Sequence, residues 1–487
     1  MISAHQPVDY SRKWLVLAAV AMGIFLATID GSIVNVALPT LVQALNADLA
    51  TVEWVVLGYL LTLTTLMLSV GRLADMFGKK PLYLTGIIVF TIGSMLCGLS
   101  SSIYMLIGFR VLQAIGAAMT TALGTAIVTE AFPARERGRA LGLSGGIVSV
   151  GIVLGPTVGG ILLDHLSWHW IFFVNLPVGI VGVLMVSRFV PNFKPAGGQR
   201  FDFAGAGMLF VSILCLLLAL TVGQYIGFAT LPVAGLLAVF VVGVVGFVAI
   251  ERRVDHPMID LGMFRNTLFT VNLVTGFVTF VAIAGTTILM PFYLANILGF
   301  QPQEMGLLMA VVPLSMGSIA PLSGALSDRV GVRPIAVAGL LTLLVGYAAI
   351  TTLGAETTAL GYALRFLPIG IGMGIFQSPN NSAIMGAAPR ARLGIASGLL
   401  ALTRTLGQTV GVSVFGALWA GRVMAQAGGI LDGGATAAAP LIQVAALHDT
   451  ALVIAVWVGL GLLLSIYAVF HERRQAAAGL EAETRFL

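Results

Sequence analysis

Polar side chains that could take part in proton exchange, as the titrating acid or as its partners, lie inside long apolar segments of the chain. Asp30 is in the first segment, and Arg110 and Gln113 are in the fourth. A charge at the centre of a bilayer costs roughly 2.5–3.5 kcal/mol on insertion scales, so an acid placed there is a functional candidate. Burial favours the protonated carboxyl, which lets it exchange a proton for a cation. The alternative is that Asp30 is simply paired or lies near the headgroups.

Arg110 and Gln113 are three residues apart and therefore share one face of a helix. Arginine keeps its proton and must find an acceptor. We predict a fixed positive charge that tunes the proton affinity of a nearby acid, the alternative being a structural contact between helices. Asn35 lies further along the first segment, about 140° around the helix from Asp30. Cavity lining and a packing hydrogen bond are both open for this side chain.

A loop after the second apolar segment combines an acid, bases and glycines. Its residues are Gly71, Arg72, Asp75, Gly78, Lys79 and Lys80. Gly71 permits a close helix approach and Gly78 permits a turn, while Asp75 follows a helix end beside the bases. We predict a charge lock between inner helix ends that is stable only while the inner face is closed. The alternative is that membrane topology alone places the bases there.

Further polar groups interrupt apolar segments in the second half of the chain. They are Asn272, Gln377, Asn380, Asn381, Arg404 and Gln408. Such groups line a cavity or bridge helices, and both interpretations stay open. The deep parts of these segments carry no clear second acid, which favours monovalent cationic or neutral substrates over divalent cations.

Fourteen apolar segments of about 20 residues position these groups. Of all residues, 58% are apolar and 9% are charged, whereas soluble proteins carry about a quarter charged residues. The segments run approximately over 15–37, 54–73, 82–99, 103–128, 140–163, 170–189, 203–224, 230–250, 267–295, 305–326, 335–353, 359–386, 394–420 and 450–470. They lack the alternation of barrel strands, so we predict an all-α integral membrane protein with fourteen transmembrane helices.

The basic residues are distributed unequally between the two sides of the membrane. Of the 25 Lys and Arg residues, 21 fall on the side of the N-terminus; Arg422 alone falls on the other side, and Arg110, Arg365 and Arg404 fall within segments. Loops rich in Lys and Arg stay in the cytoplasm, so both termini are predicted to be cytoplasmic. The net charge of +5 is thereby explained without nucleic acid.

The chain contains an internal repeat. Gly324, Asp328, Gly331 and Arg333 repeat Gly71, Asp75, Gly78 and Lys80 at an offset of 253 residues. Arg365 repeats Arg110 at 255, and Gly407–Gly411 repeats Gly155–Gly159 at 252. Near-equal offsets indicate a duplicated unit of six helices. We predict an N-terminal six-helix bundle (1–200), two inserted helices (201–255) and a C-terminal six-helix bundle (256–487), with Asp328 and Arg329 in the second copy of the lock.

The fifth segment has a face of glycines. Gly151, Gly155 and Gly159 stand four residues apart, so another helix can approach closely. Pro156 frees a backbone carbonyl and can bend the helix. We predict a tight, bent contact at the repeat interface that seals one side during rocking, ordinary close packing being the alternative.

Taken together, these motifs resemble the major facilitator superfamily, and specifically its fourteen-span drug:proton antiporter branch. The resemblance covers the whole chain and rests on Gly71–Lys80, on Asp30–Pro39, on Arg110–Gly116 and on Gly151–Gly160. Ala114 departs from the fourth-span pattern, where glycine is usual, and the fifth-span pattern matches in full, including Gly160. The resemblance implies proton coupling through Arg110, gating by the fifth helix, export rather than uptake, and two bundles that rock around a site at the midplane.

The predicted function is therefore proton-driven export of amphipathic, cationic or neutral drugs or toxic compounds from a bacterial inner or plasma membrane. We expect no cofactor beyond the proton gradient, no metal, a lipid bilayer as surroundings, and a monomer. Three alternatives stay open: an exporter of one metabolite or lipid, an uptake symporter, and a membrane sensor or scaffold. An enzyme is disfavoured, because Gly142-x-Ser144-x-Gly146 lies within a glycine-rich helix rather than at a strand-to-helix turn.

Overall fold

The computed structural model describes residues 10–47, 49–192, 201–254, 257, 259–429, 435 and 438–484, and it contains helices and turns but no strand in these ranges. In chain order the α-helices are α1 (Lys13–Ala44), α2 (Leu49–Phe77), α3 (Lys79–Gly98), α4 (Ile103–Ala131), α5 (Arg137–His165), α6 (Trp170–Phe173), α7 (Asn175–Phe189), α8 (Phe203–Ile226), α9 (Leu231–Glu251), α10 (Thr267–Phe292), α11 (Pro302–Met309), α12 (Val311–Val330), α13 (Val332–Ile350), α14 (Ala359–Ala387), α15 (Leu393–Gln426) and α16 (Pro440–Thr484). Short 3₁₀ turns cover Tyr10–Arg12, Ala134–Glu136, Leu261–Arg265 and Arg390–Arg392, and a π-helical turn covers Tyr293–Ile297.

The structure confirms the predicted all-helical membrane fold. Thirteen spans within the described residues are long and apolar enough to cross a membrane. The fourteenth, α15, has 34 residues and is long enough, but Arg404, Gln408 and many small residues lower its hydropathy. The sixth span consists of α6 and α7, and the tenth of α11 and α12. The last span begins at Pro440, ten residues before the sequence-based boundary, so the loop before it is shorter than expected.

The pairing of helices repeats along the chain, as the internal repeat requires. In the first half α3 packs along α4 and α1 packs along α5. In the second half α13 packs along α14 and α10 packs along α15 in the same way. The inserted helices α8 and α9 pack on each other, and α8 also contacts α2 and α15. The exact boundaries of the three predicted units stay predictions.

Among the described residues, one of three buried apolar clusters joins the two halves, and it does so toward one end of the molecule. One buried cluster combines Met67 and Leu68 of α2 with Ile395 and Leu399 of α15. A second cluster lies entirely between residues 281 and 462, and a third lies between residues 33 and 172. The joined end carries the basic turns that follow α2, α4, α12 and α14, and we call it the basic end.

We predict that the basic end faces the cytoplasm, because Lys and Arg are retained there during insertion. Green fluorescent protein fused after His471 is expected to fluoresce, whereas alkaline phosphatase at the same position is expected to be inactive. The control is the same pair fused after Gly428, between α15 and α16, where the two reporters are expected to reverse. An active phosphatase after His471 contradicts the predicted orientation.

Candidate functional site

A buried ion pair joins the first and fourth helices. Asp30 of α1 and Arg110 of α4 are 0% and 1% exposed. Arg110 Nη1 donates to Asp30 Oδ2 at 2.6 Å. Gln113 donates from Nε2 to Asp30 Oδ1 at 2.9 Å, and its Oε1 accepts from Arg110 Nη1 at 2.6 Å. The three residues predicted to act together therefore form one hydrogen-bonded cluster, which we call the Asp30 cluster.

Two residues that contact the Asp30 cluster, Asn175 and Tyr59, were not predicted from the sequence. Asn175, the first residue of α7, donates from Nδ2 to Asp30 Oδ1 at 3.1 Å and to Ser94 Oγ at 3.0 Å. Tyr59 of α2 lies against Arg110, with 4.1 Å between the guanidinium carbon and the ring centroid. Arg110 Nε also donates to the carbonyl oxygen of Val55 at 3.1 Å. Asn175 is a lone amide in an apolar segment, but its position gave no indication of which helix it faces.

The glycine face of α5 packs on α1 within the same half of the molecule. A Cβ on Gly155 would overlap the Ser32 side chain, and one on Gly159 would lie 2.8 Å from Ile33 Cγ1. Ser32 Oγ donates to the carbonyl oxygen of Gly151 at 3.1 Å. From the sequence we expected the glycine face of α5 to pack at the interface between the two repeats. In the structure it packs on α1 of the same repeat instead. The spacing identifies a face without side chains, but it does not identify the helix that covers it.

The remaining residues of the predicted gating helix differ from these three. Pro156 is exposed on α5. A Cβ on Gly160 would meet no heavy atom of the described residues within 4 Å. Asn35 of α1 is likewise exposed.

The two halves meet through other glycines, at the basic end. A Cβ on Gly71 of α2 would lie 2.6 Å from the carbonyl oxygen of Gly394 of α15. A Cβ on Gly138 of α5 would lie 2.5 Å from the carbonyl oxygen of Gly324 of α12. Both crossings therefore depend on the absence of a side chain. They are equivalent positions of the repeat, with one helix from each half.

Each crossing is accompanied by a carboxylate that binds the start of a helix. Asp75 accepts from the backbone N–H groups of Gly394 and Ile395 at 2.9 and 3.0 Å. Asp328 accepts from those of Gly138 and Arg139 at 2.9 and 3.0 Å. The first N–H groups of a helix have no partner within it and carry partial positive charge, so they bind anions well. We call these two contacts the basic-end lock.

Two of the bases predicted to belong to the lock, Lys79 and Lys80, make ion pairs or hydrogen bonds within the first half. Lys79 Nζ lies 3.4 Å from Asp75 Oδ1 and 2.8 Å from Glu130 Oε1, all within the first half. Lys80 Nζ donates to the carbonyl oxygen of Ser187 at 2.8 Å, also in the first half. The sequence predicted ion pairs between acidic and basic side chains. In the structure, the Asp75 and Asp328 carboxylates instead accept hydrogen bonds from main-chain N–H groups of the opposite half.

The other predicted lock residues shape its surroundings. Arg72 is buried and Arg329 is exposed. Gly78 and Gly331 have φ of 101° and 98°. Glycine adopts this backbone conformation at little cost, so the turn at Gly78 forms as predicted, and Gly331 makes the same turn at the equivalent point of the repeat.

The polar residues predicted to line a substrate cavity do not form one hydrogen-bonded group. Asn272 Nδ2 donates to the carbonyl oxygen of Leu268 in its own helix at 2.6 Å. Gln377 Oε1 and Asn380 Oδ1 are buried and have no hydrogen-bond partner among the described residues. Asn381 and Arg404 are half-buried, and Gln408 is exposed.

A cavity of about 940 Å³ lies elsewhere, at the basic end of the second half, with Asn266, Arg333, Ser382 and Phe470 in its wall.

Two related sets of helices that close on each other at one end are typical of membrane transporters that alternate between two conformations. The comparison with known families agrees. The family described as the Major Facilitator Superfamily matches residues 20–412 and 272–455. The chain belongs to this superfamily.

Individual relatives and solved structures cover most of the chain. It is 35% identical over 418 residues to the riboflavin transporter RibZ of Clostridioides difficile, covering 84% of this chain and 89% of RibZ. It is 31% identical over 409 residues to the multidrug transporter protein MdtP of Bacillus subtilis, covering 84% and 75%. The crystal structure of the human organic anion transporter MFSD10 (TETRAN) shares the fold, with a TM-score of 0.68, 16% identity and coverage of 93% and 99%.

These findings confirm that the chain is a multi-pass membrane transporter of small molecules and not an enzyme. Its relatives in bacteria agree with the predicted plasma-membrane location.

Proposed function

We propose that this chain is a proton-driven exporter of amphipathic drugs or toxic compounds that works by alternating access. The observation that carries the proposal is the Asp30 cluster, a buried carboxyl paired with a buried arginine. Because a bilayer penalises unpaired charge, this pair has to serve either architecture or proton exchange. The surroundings of Asp30 favour exchange, since they can accommodate both of its protonation states.

The charged state is satisfied in the present arrangement. The Asp30 carboxylate accepts from Arg110, Gln113 and Asn175. A carboxylate with three donors, one of them charged, is held in its ionised form by charge-assisted hydrogen bonds.

The neutral state needs an acceptor for the new O–H, and Asn175 can supply one. Its Oδ1 is buried without a hydrogen-bond partner among the described residues. Rotation of the amide would turn Oδ1 toward Asp30, so that it accepts the proton on the carboxyl. In the proposal, Arg110 retains its hydrogen bond to the Val55 carbonyl and its contact with the Tyr59 ring in both protonation states of Asp30.

The basic-end lock supplies the conformational part of the proposal. Asp75 and Asp328 bind helix starts of the opposite half, so their hydrogen bonds exist only while the basic end is closed. Opening this end breaks both contacts together, and closing it restores them. Two alternating states separated by a set of equivalent contacts are what a rocking transporter requires.

Two kinds of substrate are supported by the relatives. MdtP is named as a multidrug transporter, which supports export of diverse amphipathic compounds. RibZ is named as a riboflavin transporter, which supports a second candidate, transport of one flavin-like metabolite. Sensor or scaffold functions receive no support from these relatives.

Everted membrane vesicles with an acidified lumen test direction and coupling together. Addition of rhodamine 123, ethidium, fluorescein or riboflavin is expected to release lumenal protons for the compounds that are exported, and these compounds should accumulate in the lumen. Vesicles without the transporter are the control. Accumulation that persists after the pH gradient is collapsed, or that requires a proton gradient of the opposite sign, contradicts proton-driven export.

Asp75→Asn is expected to slow transport about 5- to 30-fold with little change in substrate affinity, because it weakens hydrogen bonds worth about 1–2 kcal/mol that form only in the closed state. The measurement is the initial rate and the binding constant in reconstituted vesicles at equal protein amount. Asp328→Asn should behave alike. The control is Asp164→Asn, the same change at an exposed residue near the opposite end of α5. An unchanged rate in both lock variants would refute the lock.

A further inference from the structure

One arginine in the spanning helices has no bonding partner among the residues that the structure describes. Arg404 of α15 has no hydrogen bond or ion pair with any residue that the structure describes. By contrast, Arg110 is held by Asp30, and Arg365 donates to Thr352 Oγ1 at 2.7 Å and to the carbonyl oxygen of Gly361 at 2.9 Å. An unpaired guanidinium this deep in a membrane protein needs water or a ligand.

Arg404 lies where α15 changes its neighbour. Toward the basic end, Gly398 of α15 approaches Met67 of α2 in the other half. Toward the opposite end, Gly407 of α15 approaches Phe280 of α10 in the same half. Arg404 lies between these two contacts, deep within the helix bundle yet partly accessible. Gln408, one turn further along the same face, is exposed. Both side chains therefore belong to the stretch of α15 where its contact changes from α2 of the other half to α10 of its own half.

Among the described residues of α10 to α15, no acid lies beside Arg404 to neutralise its charge. Between residues 267 and 420 the acids are Glu304, Asp328 and Glu356. All three lie near helix ends or in a turn rather than at the depth of Arg404. Asp30 is fully buried and already paired with Arg110. A negatively charged ligand would therefore supply the charge that the acids of α10 to α15 and Asp30 do not.

We propose that Arg404, with Gln408 beside it, binds the acidic group of an amphipathic substrate, such as a carboxylate or sulfonate. The planar guanidinium can bind both oxygens of such a group, and the Gln408 amide can donate a further hydrogen bond. The inference rests on the proposed function, because it places the subsite on the transport path. It revises the expectation of cationic substrates, which relied on the small number of acids and not on any residue that binds a cation.

Two dyes with the same ring system separate charge from shape. Fluorescein is anionic and rhodamine 123 is cationic, and both are xanthenes. Their binding to the purified protein in nanodiscs of zwitterionic lipid is measured by fluorescence anisotropy. The wild-type protein is expected to bind fluorescein more tightly than rhodamine 123. Arg404→Gln is expected to weaken fluorescein binding about 10- to 100-fold, the range of a charge-assisted hydrogen bond, without weakening rhodamine 123 binding.

Two further variants control for folding and position. Arg404→Lys keeps the charge and loses the planar fork, so fluorescein binding should fall between the wild type and Arg404→Gln. Arg365→Gln removes an arginine near the helix end and should leave both dyes unchanged. Absence of fluorescein binding to the wild type, or an equal loss for both dyes in the folded Arg404 variants, overturns the subsite. Failure of the proposed function would instead appear as intact fluorescein binding without transport driven by a pH gradient.

Discussion

Asp30→Asn is expected to abolish uphill transport driven by a pH gradient while downhill exchange of substrate survives. The substitution keeps the size of the side chain and removes the titrating group that lies between Arg110, Gln113 and Asn175. Without a group that binds and releases a proton, proton movement down the gradient is no longer coupled to substrate movement. The loss should therefore be complete for accumulation and partial for exchange.

The measurement is efflux from reconstituted vesicles under an imposed pH gradient, compared with counterflow without a gradient. Asp164→Asn, at an exposed position, serves as the matched acid-to-amide control. Because the variant leaves the charge of Arg110 buried and less well compensated, a loss of stability of roughly 3–5 kcal/mol is also expected. Protein amount and thermal unfolding must therefore be compared first. Wild-type dependence on the gradient in this variant would mean that the coupling acid is elsewhere, with Glu53 or Glu130 next to be tested.

Gly324→Val is expected to stop the transport cycle by preventing closure of the basic end. A Cβ at this position would overlap the carbonyl oxygen of Gly138 and lie 2.6 Å from Ser378 Oγ. Ser378 itself donates to the Gly138 carbonyl at 2.7 Å, so the added Cβ would meet main-chain atoms and a hydrogen-bonded side chain rather than the end of a flexible side chain. Transport of every substrate should fall to background, since neither accumulation nor exchange can proceed from one conformation.

Spin labels at Ala134 and Val330, one in each half, report this closure directly. Their separation is expected to increase in the Gly324→Val variant and to remain short in the wild type. Gly306→Val is the control, because a Cβ at Gly306 meets no described heavy atom within 4 Å. A short separation together with normal transport in Gly324→Val would show that this crossing tolerates a side chain and does not limit closure.

The helices and their order were accessible from the sequence because length and hydropathy determine them. The turn at Gly78 followed from its glycine, and Gly331 makes the same turn at the equivalent point of the repeat. The division of the sixth span at Val174 and the early start of α16 at Pro440 did not follow, because local backbone geometry rather than hydropathy sets them. The orientation of the termini remains a prediction from charge alone.

The site was accessible in part, for a physical reason. Asp30, Arg110 and Gln113 were identified because polar groups in apolar helices have few possible uses. Asn175 and Tyr59 were missed, and the Gly151–Gly159 face was assigned to the wrong interface, because spacing within a helix defines a face and not its neighbour. The helix starts bound by Asp75 and Asp328 were missed as well. Their donors are main-chain N–H groups, which nearly every residue type has, so the amino-acid sequence does not identify them.

That last property affects how the two halves recognise each other. Ile395 and Arg139 contribute to the lock through N–H groups that every residue except proline possesses. Substitutions of these two residues, other than by proline, keep the N–H donor. A basic residue in place of either acid could not be compensated by an acidic partner, because the partner is the positively polarised start of a helix. Second-site suppressors of Asp75 or Asp328 variants are therefore expected to reshape helix packing and not to exchange charges. The halves are matched by their architecture, and their sequences can diverge while they still fit.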